Sequence, residues 1–361
     1  MTTSETAIFT SHEQPIELRN LPIPELKPGE ILVRNEYTAL CRSDLNTYCG
    51  KRFEPTPTIL GHEIVGRIAA FGEGKAPLDL RDNQLAVGDR VSWAIFSSDP
   101  NSELSKQGIP QKGKDLFKYG HERLTDESTL HGGLGQFTLL KPNTPIVKVS
   151  ENVPLKVVSI INCSVATIAG AIRQAGDIEG KNVLVYGAGM LGMIACAMSK
   201  TLGASSVAAI DLNKARLETA KHFGADVALV ADEDISNNIV AAYGTSKPFN
   251  VVIELSGVAS AMEQTLDFFS IGGTAVWVGA TYPERDVHFS AEKIIRNLIT
   301  IKGLHNYNRE DFLFAVDFIE QHHLDFPFAE MIYDHFSLKE VNEAFEYGLK
   351  VNPFRVGVRI D

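Results

Sequence analysis

The stretch Ala39-Leu40-Cys41-Arg42-Ser43-Asp44 sets a thiol, a guanidinium, a hydroxyl and a carboxylate side by side, in a chain with only four cysteines. Downstream, Leu60-Gly61-His62-Glu63 adds an imidazole and a second carboxylate, and Asn162-Cys163-Ser164 adds a second thiol. Two thiolates and one imidazole, with the fourth position left to water or substrate, make an open catalytic zinc site. Taken singly, each of the three is more often a core residue, because free cysteine behaves as a small hydrophobe. No C-x-x-C spacing occurs, and four cysteines in a chain of this size do not form a disulfide framework.

A second chemical signature is Gly187-Ala-Gly189-Met190-Leu191-Gly192, which follows the apolar run Asn182-Val-Leu-Val-Tyr186 and opens a helical pattern. Asp211 ends the next apolar run. Strand, glycine loop, helix and a distal acid together form the dinucleotide fingerprint, in which the glycines let backbone approach the pyrophosphate at a helix N-terminus. Asp211 would accept hydrogen bonds from the adenine ribose and repel a 2′-phosphate, which favours NAD(H) over NADP(H). Arg216 stands too far along to reverse that preference and would help hold the ribose.

These groups need a scaffold. A length of 361 residues exceeds a typical single core and predicts two domains. Short strand patterns separated by Gly and Pro turns run to about residue 155, as in "EILVRNEYTAL", "HEIVGRIAAFG" and "GDRVSWAIF". From about 157, unalternating apolar runs alternate with amphipathic helices, which predicts a parallel sheet covered on both faces. The expected organisation is a first part of a catalytic domain over 1–156, a nucleotide-binding domain over 157–297, and a return to the catalytic domain over 298–361, with "PFRVGVRI" as a returning strand. A net charge of −11 argues against nucleic-acid and anionic-membrane partners. No apolar run is expected to reach the roughly 18 residues that span a bilayer. The N-terminus lacks the pattern of a secretory signal, so the expected compartment is the cytoplasm.

In order and spacing, "CRSD", "GHEIVGRIAAFG", "VGDRV", "NCSVAT", "GAGMLG" and "VNEAFEYGLK…RVGVRI" resemble the zinc-dependent medium-chain alcohol dehydrogenases over essentially the whole chain. The resemblance implies an α/β fold: a β-rich, barrel-like (GroES-like) catalytic domain plus a Rossmann, doubly wound parallel-sheet domain. It implies that Cys41, His62 and Cys163 hold the catalytic zinc and that Glu63 can approach the metal. It further implies Ser43 as the proton relay, Asp44 as the brace on His62, and Arg42 as a contact to the cofactor pyrophosphate. The implied reaction is hydride transfer between NAD(H) and a small alcohol or carbonyl substrate, in a homodimer or homotetramer joined through edge strands near "GTAVWVG". At Asn46 the chain departs from relatives that carry a titratable histidine at the end of the relay.

Many relatives hold a structural zinc with the spacing C-x2-C-x2-C-x7-C. Here that spacing carries Asp99, Ser102, Ser105 and Gly113, which cannot replace four thiolates. One zinc per chain is therefore expected, with Cys49 and Cys196 as packing residues. Positions of the family pattern near the metal are Tyr48, Arg52, Trp93 and Ile95. The stretches "LFKYGHE" and "KGLHNY" resemble a subgroup associated with phosphonate metabolism, and place Lys118, His121 and His305 as further substrate contacts. A polyol or cyclitol fits such a pocket as well as a phosphonate-linked alcohol. Two other readings stand beside this one: a zinc-free reductase of the same fold, and a non-catalytic NAD-binding redox sensor with a vestigial metal site.

Overall fold

The computed structural model describes residues 2–12 and 14–361. It divides into two compact units, one running to Ala166 and resuming at Asn308–Asp361, the other Thr167–Tyr307. In the first unit the strand Ile31–Leu40 organises a seven-stranded sheet. Glu63–Phe71 runs antiparallel along its length, with register shifts at Leu32/Val33 and Asn35/Tyr37. Such bulges add twist and bend the strand. The bent strand pairs through Ile31–Arg34 with Phe137–Leu140 and through Tyr37–Leu40 with Arg355–Arg359. The C-terminal strand thus sits beside the segment that leads into Cys41.

Alternation decides which side chains of this sheet are inside. Val33, Ile64, Ile68, Val91, Trp93 and Tyr119 form one core cluster. Leu40, Leu45, Leu60, Leu134, Phe345 and Val356 form another, beneath the helix Arg42–Tyr48. Fully burying an aliphatic or aromatic side chain of this kind contributes about 1.5–3 kcal/mol, so both clusters hold the loops they support in place.

The second unit is a six-stranded, all-parallel sheet. Its order is Val227–Val230, Ser206–Asp211, Asn182–Tyr186, Phe249–Glu254, Phe269–Trp277, Thr300–Gly303. Val183, Leu184 and Val185 are all fully buried, as expected of a central strand covered on both faces. Two sequence expectations are corrected here. "GTAVWVG" does not provide an edge, because Phe269–Trp277 is paired on both sides and Thr300–Gly303 is the outer strand. One helical stretch, Leu155–Ala175, is long and apolar enough to cross a membrane by length and composition, although no such run was expected. Its apolar window is 83% buried inside the fold, which accounts for its composition as core.

Candidate active site

Cys41 ends the Ile31–Leu40 strand in extended conformation and caps the short helix Arg42–Tyr48. Three residues into that helix, the buried Asp44 carboxylate turns back. Its Oδ2 accepts the Cys41 N–H at 2.8 Å, and its Oδ1 accepts the Gly61 N–H at 3.2 Å. The same Oδ1 lies 3.3 Å from His62 Nδ1, an electrostatic contact rather than an aligned hydrogen bond. Asp44 therefore ties the cysteine loop to the histidine loop and favours the tautomer protonated at Nδ1, leaving Nε2 as the donor atom. Ser43 Oγ is 3.4 Å from that Nε2. Cys163 comes from a π-helical turn, Ile161–Val165, a local irregularity frequent at functional sites.

The ligand atoms of Cys41, His62 and Cys163 lie within 4.8 Å of one another. Zinc bonds of about 2.0–2.3 Å hold tetrahedral donors less than about 4 Å apart, so this set needs only a small contraction to close on one ion. The three groups interact strongly with one another. A hydrogen bond from Cys163, aided by the charges of Arg355 and His62, holds the Cys41 thiol well below its ordinary range despite burial. The Cys163 thiol moves the other way, raised by that shared hydrogen bond and by burial. Burial lowers the basicity of His62, but Asp44 and Cys41 outweigh it and hold the imidazole well above its usual value. Asp44, penalised by burial, is nonetheless held low by His62.

Glu63 is fully buried behind this cluster. Arg355 clamps it, with Nε donating to Oε2 at 2.7 Å and Nη2 to Oε1 at 3.0 Å, while the Ser164 hydroxyl donates to Oε1 at 2.5 Å. Arg355 Nη2 also lies 3.6 Å from Cys41 Sγ. Burial raises the Glu63 carboxyl, and Arg355 opposes that rise. Sequence reasoning missed Arg355 and Ser164. The available signal was an arginine inside the apolar strand pattern "FRVGVRI", where only a buried acid justifies a guanidinium.

The sequence-predicted substrate residues scatter. Tyr48 is half-buried and stacks on Phe345 at 4.6 Å. Arg52 Nη2 lies 2.8 Å from Glu54 Oε1, and His121 Nδ1 bonds the same oxygen at 2.9 Å. The His121 ring in turn lies 4.7 Å from the His62 ring. Gly120, with φ +77°, permits this approach, since a Cβ there would stand 2.7 Å from Gly61 O and 3.0 Å from His62 Cβ. Burial, with the charges of Lys112 and Arg52, lowers Lys118 to about 8. Trp93 is fully buried among Val91, Ile64 and Tyr119, and Ile95 is only 2% exposed. His305 is exposed and belongs to the other unit. Arg42 is exposed on the first turn of its helix.

In the second unit the glycine loop has the form its sequence implies. Gly187 adopts φ +104°, a Cβ on Gly192 would stand 2.1 Å from Gly187 O, and the Cβ direction of Gly189 is open. Gly189 caps the helix Met190–Thr201, where Met190 is buried and Leu191 half-buried. Asp211 Oδ2 accepts the Ala188 N–H at 2.7 Å and Oδ1 the Asn213 N–H at 2.8 Å. The acid thus braces the loop itself. Arg216 sits half-buried in the following helix, Lys214–His222. These residues fit a dinucleotide: an open backbone cradle at a helix N-terminus with a carboxylate at the next strand end.

The alcohol dehydrogenase GroES-like domain family matches residues 27–151, and the zinc-binding dehydrogenase family matches residues 191–321. An L-threonine 3-dehydrogenase of Aeromonas salmonicida is 26% identical over 337 residues, covering 92% of each chain. The crystal structure of an alcohol dehydrogenase from Thermotoga maritima superposes with a TM-score of 0.93 at 25% identity, covering 100% of both chains. An alcohol dehydrogenase from Escherichia coli, solved in complex with NADH, superposes at 0.84 with 22% identity, covering 99% of this chain and 100% of that one.

Proposed function

The chain belongs to the zinc-dependent medium-chain alcohol dehydrogenase family and is an NAD(H)-linked zinc oxidoreductase, and from that premise we propose that it interconverts a polar alcohol and its carbonyl at Cys41, His62 and Cys163. The observation that carries this reading is the convergence of those three ligand atoms within 4.8 Å. Zinc bound there supplies Lewis acidity to the substrate oxygen, and NAD(H) supplies or accepts the hydride.

The chain's own residues do the rest. Asp44 fixes the ring and tautomer of His62. The Ser43 hydroxyl, beside His62 Nε2, takes the alcohol proton and passes it outward. Beyond it, Asn46 does not titrate, so the exit runs through water or the cofactor's ribose hydroxyl. Glu63 is held by Arg355 and Ser164 and places a compensated charge behind the sulfur ligands. The set Arg52–Glu54–His121, joined by an ion pair and a hydrogen bond and packed against His62, supports a substrate bearing charged or additional hydroxyl groups, whether an amino alcohol, a polyol or a phosphonate-linked alcohol. The name L-threonine 3-dehydrogenase carried by curated relatives agrees with that polarity.

For the assembly we favour a homodimer through the outer strand Thr300–Gly303, near which Ile295 and Leu298 are 70% and 68% exposed. Four free thiols and an acidic surface suit the cytoplasm. The decisive experiment pairs metal analysis with NADH absorbance over a panel of L-threonine, polyols, hydroxyphosphonates and simple alcohols. About one zinc per chain with turnover of a polar member is the expected result. Zinc-free protein, or activity that survives chelation and Cys163→Ser, would sink the zinc mechanism. Dinucleotide binding without turnover of any member leaves the redox-sensor reading in its place.

A further inference from the structure

The parallel strands of the second unit change direction of addition between Asn182–Tyr186 and Phe249–Glu254. Ser206–Asp211 and Val227–Val230 lie to one side, Phe269–Trp277 and Thr300–Gly303 to the other. Dinucleotides bind across the crevice that opens at the carboxyl ends of strands at such a reversal. The glycine loop after Tyr186 forms one wall of it and Asp211 marks the adenosine side. The facing wall starts at Glu254, which no sequence motif singled out.

Glu254 is fully buried. Its Oε1 accepts the Ser256 N–H at 2.8 Å, the Gly257 N–H at 3.1 Å and the Ser256 hydroxyl. Ser256 Oγ in turn accepts the Val258 N–H at 3.2 Å. The turn so pinned is wedged backbone against backbone. A Cβ on Gly187 would stand 2.9 Å from Ser256 N, and one on Gly257, at φ +70°, would stand 2.5 Å from Gly279 O. A Cβ on Gly279 would stand 2.2 Å from Gly257 N. Side chains take no part in these approaches, so the carboxylate sets where the turn lies. Burying an acid for that task costs free energy unless it is fully hydrogen-bonded, and here the turn's own donors supply those bonds.

We propose that Glu254 is a positioning residue for the cofactor: through Ser256 and Gly257 it fixes the wall that receives the nicotinamide half of the dinucleotide, across the glycine loop from Asp211. The proposal rests on the NAD(H) reading above. It is tested by measuring affinities for NADH and for ADP-ribose, which lacks the nicotinamide, by fluorescence and calorimetry. Glu254→Ala is expected to weaken NADH at least about tenfold, as loss of a buried hydrogen-bonding anchor does, while ADP-ribose stays within about twofold. Ser256→Ala, which keeps the buried acid, should shift NADH in the same direction by less and secures the test if Glu254→Ala does not fold. Glu254→Gln retains an acceptor and should recover most of the affinity. Equal weakening of both ligands, unchanged NADH affinity, or a Gln variant as weak as the Ala variant would overturn it. Wild-type protein that binds neither ligand would instead overturn the NAD(H) reading on which it stands.

Discussion

The sequence resemblance points to two regions of the chain as zinc sites, and the two are built differently. Around Cys41, His62 and Cys163 charges face one another: Asp44 on His62, Arg355 on Glu63 and on the Cys41 sulfur. In the 99–113 lobe the corresponding positions satisfy one another without charge. Ser102 Oγ donates to Ser105 Oγ at 2.9 Å, and Ser105 Oγ donates to Asp99 O at 2.7 Å. Asp99 N–H reaches Lys114 O at 2.9 Å to close the loop. Gly113 completes the set, because a Cβ there would stand 2.7 Å from Ser105 Oγ and 3.1 Å from Ser102 Oγ. A site that must bind a cation keeps unspent ligand capacity, whereas a cluster of hydroxyls can spend its polar capacity on its own hydrogen bonds.

The sharpest way to break this contrast is to remove one thiol. Cys163→Ser should lose zinc and reduce turnover by about three orders of magnitude or more, since the Lewis acid supplies several kcal/mol. Metal content and NADH absorbance check it, and retention of both would erase the difference between the two regions. Next in size is Arg355→Leu, which leaves Glu63 buried and uncompensated. We expect a loss of about 3–5 kcal/mol in denaturant unfolding, part of it recovered by adding Glu63→Gln. If the single substitution costs nothing, Arg355 is not the counter-charge its geometry implies. Third comes Asp44→Asn, which keeps the shape and removes the charge facing His62 Nδ1. Zinc affinity should fall about 10–100-fold in competition with a chelator, with the fold intact by circular dichroism.

What was legible before the fold was known follows the same division. Cys41, His62, Cys163 and Asp211 were readable because few residue types perform their chemistry and their spacing is local or family-bound. Arg355 was not, because it stands 292 residues from Glu63. Their meeting depends on two strand registers, Gly357 opposite Ala39 and Ala39 opposite Glu63. Trp93 and Ile95 come from the family pattern near the metal, and both are buried. Burial is shared by a pocket wall and a packed core, so it leaves their role as a proposal. The doubly wound sheet was plain from unalternating apolar runs, but its edge was not. Which parallel strand lies outermost depends on the order of crossovers, and "GTAVWVG" is as apolar as an inner strand because it is one.

The smallest effect belongs to the lobe, and it tests the comparison from the other side. Ser105→Ala removes the hydroxyl that bridges Ser102 and the Asp99 carbonyl. Ser105 is only half-buried, so solvent can replace part of what is lost. The expected cost is about 0.5–1.5 kcal/mol, that of one ordinary hydrogen bond, read as a small drop in unfolding midpoint. Zinc content and kcat should not change, because the hydrogen bonds of the Ser102–Ser105–Asp99 network close on its own loop and on Lys114. The opposite outcome, zinc released by Ser105→Ala, would mean that the lobe still answers for a metal and that its hydroxyls had not replaced one. A cost well above the hydrogen-bond range with zinc retained would mean something else: that the hydroxyl network organises more of the first unit than its own loop. Measured beside Cys163→Ser, the lobe variant therefore separates a region stabilised by its own hydrogen bonds from one organised for an ion.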